Sequence, residues 1–168
     1  MDKKNILAGI MMAAIGMLVS VQAGAQSRES KEGKKASIER MVNDTVRSGH
    51  YKIEVSYMLP FRGGSRSLTA NYSVEVRNDS VFSYLPYVGV AYQLPYGGGK
   101  GLIFSAPLSN YRLDVTPKGM MKVSFETRTD EDAFVYRFSI WTNGSASVDI
   151  QPTQRESISF TGDVSLKR

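Results

Sequence analysis

The chain has 168 residues, a mild positive balance (+5 at neutral pH), one histidine and no cysteine. Lack of cysteine excludes disulfides and thiolate ligands, and one histidine leaves zinc, copper and haem sites of ordinary composition without their donors. The basic residues are scattered, with only Lys31, Lys34 and Lys35 locally clustered, which argues against a nucleic-acid partner, whose recognition gathers such charge on one face or element.

In chain order, the first element is a secretory signal. Lys3 and Lys4 precede an uncharged stretch from Ile6 to Val21, and the stretch ends at Ala23-Gly24-Ala25. Basic start, apolar middle and small-x-small end are the three parts of a cleavable export signal. A membrane anchor is the alternative, because the stretch nearly reaches the roughly 17–20 residues that span a bilayer. The glycines, Gln22 and the Ala-x-Ala end favour cleavage after Ala25, giving a mature protein starting at Gln26 in the periplasm or outside the cell. With no cysteine to acylate, it is not a lipoprotein. Past residue 25 no apolar run is long enough to cross a membrane.

Residues 26–36 are polar and charged, and read as a flexible tether or frayed helix start. A single β-rich domain is expected over 37–168. It opens with Ile38, Met41, Val42, Thr45 and Val46, spaced as the buried stripe of an amphipathic helix. Gly49 is its expected left-handed stop. His50, just beyond, is expected to interact with the last helical carbonyls.

From Tyr51 the period changes to two. Tyr51, Ile53, Val55, Tyr57 and Leu59 alternate with polar residues or Met58, and Leu68, Ala70, Tyr72, Val74 and Val76 repeat the pattern. It returns in Tyr111, Leu113, Val115, in Met121, Val123, Phe125, and in Phe134, Tyr136, Phe138, Ile140. Ala146, Val148, Ile150 and then Ile158, Phe160 complete it. Strict alternation marks strands with one dry face, the signature of antiparallel sheets. Asn143-Gly144 is the strongest hairpin signal, read as a turn with positive φ at both positions. Asn78-Asp79, Pro117-Lys118-Gly119 and Thr129-Asp130-Glu131-Asp132 read as further reversals. The fold class is therefore all-β: an antiparallel meander curled into a barrel, or alternatively a β-sandwich, with one N-terminal amphipathic helix covering an open end or an edge.

One stretch breaks the alternation. Tyr84, Tyr87, Tyr92 and Tyr96 lie between Ser83 and a glycine-rich run from Gly97 to Gly101, with Leu-Pro-Tyr at 85–87 and again at 94–96. Proline cannot donate to a ladder, so this is loop or edge. The tyrosines either pack on the barrel rim or form a recognition surface with apolar faces and polar tips. In the second reading Tyr84, Tyr87, Tyr92 and Tyr96 are the ligand-binding candidates. Arg155 joins them as a ligand contact, its alternative role being a strand-end ion pair.

Together with Gly101-Leu102-Ile103-Phe104, Ile140-Trp141-Thr142-Asn143-Gly144-Ser145-Ala146 and Arg155-Glu156-Ser157-Ile158-Ser159-Phe160-Thr161-Gly162, the string Ser83-Tyr84-Leu85-Pro86-Tyr87-Val88-Gly89-Val90-Ala91-Tyr92 resembles domain-of-unknown-function family 4251. That family consists of small exported proteins, mostly from Bacteroidetes. The resemblance runs from about Ile38 to Leu166 and implies a β-rich, lipocalin-like fold with no assigned function. Val90 stands where a basic residue is expected.

No catalytic grouping emerges. His50 has no Gly-x-Ser-x-Gly elbow to serve, and Asp130, Glu131 and Asp132 lack the alternating oxygens and central glycine of a calcium loop, so they read as a solvated turn. Gly97-Gly98-Gly99-Lys100-Gly101 lacks the phosphate-loop spacing. The expectation is a non-enzymatic exported module, without cofactor or metal, that binds a small ligand or an envelope protein partner. A carboxylate-dependent glycan-acting enzyme and a structural envelope protein are the alternatives. Phe125, Phe134, Tyr136, Phe138 and Phe160 point to a barrel filled by side chains rather than a hollow one.

Overall fold

The computed structural model describes residues 22–93 and 99–166. The first 21 residues, with nearly all of the expected signal peptide, lie outside the described residues, as do residues 94–98, which include Tyr96. Helix α1 (Gln22–Arg47) comes first and takes in residues 26–36, the segment expected as a tether or frayed helix start. Among the described residues no helix is long and apolar enough to cross a membrane.

Nine strands follow: β1 (Tyr51–Pro60), β2 (Arg66–Ser67), β3 (Ser73–Arg77), β4 (Ser80–Leu85), β5 (Leu102–Val115), β6 (Met121–Arg128), β7 (Ala133–Ile140), β8 (Ser145–Pro152) and β9 (Ile158–Val164). From β3 to β9 each strand pairs antiparallel with the next, and β3 also pairs with β1. Strand β9 returns to β1, from Ile53 opposite Val164 to Pro60 opposite Ile158, and that last ladder closes the sheet. The result is an eight-stranded up-and-down barrel, with two-residue β2 added beside the C-terminal half of β1. Closure settles barrel against sandwich, and it leaves no long unpaired edge among the described strands.

The interior is solid. Tyr136, Phe125, Phe134, Phe138 and Phe160 are among the largest fully buried side chains. Phe125 stacks on Tyr136 at 5.1 Å and meets Phe138 edge-on at 5.4 Å. Tyr136 donates its hydroxyl proton to Ser83 Oγ, which donates in turn to the Leu102 carbonyl, so the polar atoms inside are satisfied.

The alternation is interrupted in three places that the simple period of two does not foresee. Val55 lies opposite Gly162 and Tyr57 opposite Thr161, so Ser56 is an extra residue, a bulge. Beyond it the faces exchange: Met58 is buried, while Tyr57 and Leu59, expected inside, face solvent. A second register shift lies between Ser109 and Arg112 on β5, with Asn110 at φ +54°. Past it Tyr111 and Leu113 turn partly inward, and Val115 is exposed. Residues 68–72 run outside the ladder between β2 and β3, so Ala70 is exposed as well.

The barrel has two unlike poles. At one, the connections are short: Asn78-Asp79 between β3 and β4, 116–120 between β5 and β6, and 141–144 between β7 and β8. The last turns of α1 cover this pole. Val42 and Val46 are completely buried in the core, Met41 and Thr45 are half-buried, and Ile38, the first residue of the expected stripe, is exposed. Gly49, at φ +71°, ends the helix, and Ser48 Oγ, not His50, donates to a terminal carbonyl, that of Thr45. At the other pole lie the two longest connections, 61–72 and the described parts of 86–101, together with 129–132 and 153–157.

Candidate functional site

The long-loop pole is organised by two consecutive buried residues between β8 and β9, Arg155 and Glu156. Arg155 Nε donates to Asp132 at 3.2 Å and its Nη2 to Glu131 at 3.2 Å, while the guanidinium lies 5.6 Å from the centre of the Tyr87 ring. Asp132 is fully buried and also accepts from the backbone N–H groups of Ala133, Thr153 and Gln154. The expected solvated turn at 130–132 is therefore an anchor. A carboxylate removed from water needs this many donors, and Asp132 has them.

Glu156 holds the β4–β5 connection. Its Oε2 accepts from Val90 N at 3.1 Å and its Oε1 pairs with Arg62 at 2.9 Å. Backbone bonds from Glu156 N to Val90 O and from Tyr92 N to Gln154 O continue the contact as a bridge between Ala91 and Arg155. At the far end of the same connection, Lys100 N donates to both oxygens of Glu131. A side chain on Gly99 would begin 2.5 Å from one of them, which accounts for a glycine there.

Between these loops lies a surface cleft of about 320 Å³. Phe61 and Tyr92 stand at it with 67% and 65% of their surfaces exposed. Gln151, Pro152, Arg155, Glu156 and Ser157 line the rest.

The five sequence candidates have different surroundings. Tyr92 lines the cleft. Tyr87 is half-buried; its hydroxyl donates to the carbonyls of Val90 and Glu156, and burial raises its pKa, although Arg155 pulls the other way. Tyr84 projects from the outer surface of β4, its ring 5.4 Å from that of Tyr72. Arg155 lines the cleft floor with its charge already engaged by two carboxylates, and Tyr96 lies outside the described residues. Sequence reasoning passed over Phe61, Gln151, Glu156 and Ser157. The one legible signal among them was Phe61, an aromatic residue opening an otherwise polar loop, Arg62-Gly63-Gly64-Ser65.

These features define a closed, side-chain-filled antiparallel barrel with an aromatic-lined cleft among the loops of one pole, smaller than hollows elsewhere on its surface that are lined mainly by polar residues. The chain belongs to the family described as Domain of unknown function (DUF4251), whose model matches residues 33–164. A crystal structure of a DUF4251 family protein from Bacteroides eggerthii DSM 20697 shares the fold with a TM-score of 0.58, at 16% identity, over 77% of this chain and 87% of that one. No curated protein matches.

Proposed function

We propose that the chain is an exported, non-enzymatic binding module that takes a small ligand at the long-loop pole rather than inside the barrel. One observation carries this reading: the interior is packed with aromatic side chains, while two exposed aromatic rings line a surface cleft. Burial of such rings against a ligand is favourable, whereas entry into a close-packed core would first require it to be emptied. Among the described residues Glu156 is the only acid lining the cleft, and both its oxygens are engaged, so that lining offers no carboxylate pair of the kind glycoside hydrolysis uses. Export rests on Lys3, Lys4, the stretch Ile6 to Val21 and Ala23-Gly24-Ala25.

A fragment screen followed by amide shifts tests the site. Perturbations at Phe61, Tyr92, Gln151 and Ser157 are expected; shifts centred on Phe125 and Tyr136 would refute it. Recovery of a product starting at Gln26 outside the cytoplasm tests export. A second reading has its own observation: Tyr57 and Leu59, turned outward by the Ser56 bulge, continue the exposed apolar surface along β1 from Phe61. An envelope protein partner would use that stripe.

A further inference from the structure

We infer that the cleft lined by Phe61 and Tyr92 takes a neutral saccharide; this rests on the binding reading above and names its ligand class. Charge is the first discriminator. Arg155 is matched by Asp132 and Glu131, and Glu156 by Arg62 and the Val90 N–H. An anionic ligand would find both guanidiniums already held by three carboxylates, and a cationic one would have to displace Arg62 to reach Glu156, the one acid in the described lining. Hydrogen-bonding character is the second. The side chains of Gln151, Ser157 and Tyr92 make no hydrogen bond among the described residues, and each both donates and accepts. A purely apolar planar molecule would cover these groups without pairing them, at a cost.

Shape is the third discriminator. Two exposed ring faces suit a ligand with apolar C–H patches, and amphoteric side chains suit one with hydroxyl groups; a sugar ring carries both around its edge. The volume, about 320 Å³, is near the lower end of the roughly 300–1,000 Å³ typical of small-molecule sites. One or two sugar rings fit, with any further units extending into solvent.

The test is titration of the intact mature protein, followed by amide shifts and calorimetry, with three probes: neutral hexose trisaccharides, the same trisaccharides carrying a uronic acid, and indole. Neutral trisaccharides are expected to move the amides of Phe61, Tyr92, Gln151 and Ser157, with the acidic analogues binding no more tightly. Raising the salt from about 0.05 to 0.5 M should leave the affinity unchanged. Phe61→Ala and Tyr92→Ala should each weaken binding about tenfold, and Gln151→Ala about threefold. All three side chains are exposed, so an unchanged thermal midpoint separates lost binding from lost fold. Indole or the acidic sugars moving these amides while neutral sugars do not would overturn the saccharide assignment and leave the binding site standing. Silence of the four positions towards every probe, and towards the fragment screen, would remove both.

Discussion

A methyl group at position 162 would fall on the carbonyl oxygen of Glu54 and 2.7 Å from the Cα of Val55. The neighbour there is backbone of β1, next to the Ser56 bulge, and it cannot rotate away. Gly162→Ala should therefore destabilise the protein by about 1–3 kcal/mol in urea unfolding, while Thr161→Ala, one residue away, should stay within about 0.5 kcal/mol. Arg155 is a different kind of constraint. Replacing it with Met leaves Asp132 buried with its backbone donors but no counter-charge, a change expected to cost about 3–5 kcal/mol. The double variant Arg155→Met with Asp132→Asn should recover a measurable part of that loss. None of this was legible locally: Asp132 sits in a run of three acids that looks like any wet turn, and its partner lies 23 residues away. The candidate site was half legible for the same reason. Tyr92 is marked by the Leu-Pro-Tyr segment, whereas Gln151 and Ser157 are ordinary residues that matter only because two loops meet.

Strands were the most readable part of the sequence, since β6, β7 and β8 alternate without interruption and bury the residues that the period of two assigns to the core. Reading failed where one residue was inserted. A single bulge exchanges the two faces, as Tyr57, Met58 and Leu59 show, and nothing in Tyr51 to Pro60 announces it. Strand β4 was masked in another way: Ser83 points inward while Phe82 and Tyr84 point outward, covered by Arg77 and Tyr72. Val81 and Leu85 are buried as apolar residues should be, but between them the polar Ser83 is inside and two aromatic rings are outside. The turns give a sharper comparison. Asn78 and Asp79, at φ +50° and +53°, form the tight two-residue reversal with both residues left-handed. At 141–144 only Gly144 is left-handed, and Gly144 N bonds to Trp141 O, so the expected conformation of Asn143 is corrected to an ordinary one. Asp79→Gly should accordingly stabilise the protein by about 0.5–1 kcal/mol, whereas Asn143→Gly should give no gain; thermal midpoints of the two variants decide it.

For the molecule as a whole, the interior filled by buried aromatic side chains sets the response to alkali. Burial raises the pKa of Tyr51 and of Tyr136 well above the usual 10.0. The unfolded chain loses these protons near pH 10 while the folded one keeps them, so the folded state binds more protons above that pH. Their contribution is undiminished below about pH 9 and falls above about pH 10, by roughly 1.4 kcal/mol per pH unit for each tyrosine. Urea midpoints measured from pH 7 to 11 should follow that curve. Tyr136→Phe should cost about 1 kcal/mol at pH 7, through its lost bond to Ser83, yet lessen the alkaline slope. The two poles have a practical corollary. The chain leaves β9 at Val164 on the short-turn side, so a fusion partner or surface linkage attached past that strand would leave Phe61 and Tyr92 unobstructed. Tethering the barrel past Val164 should therefore preserve the proposed binding.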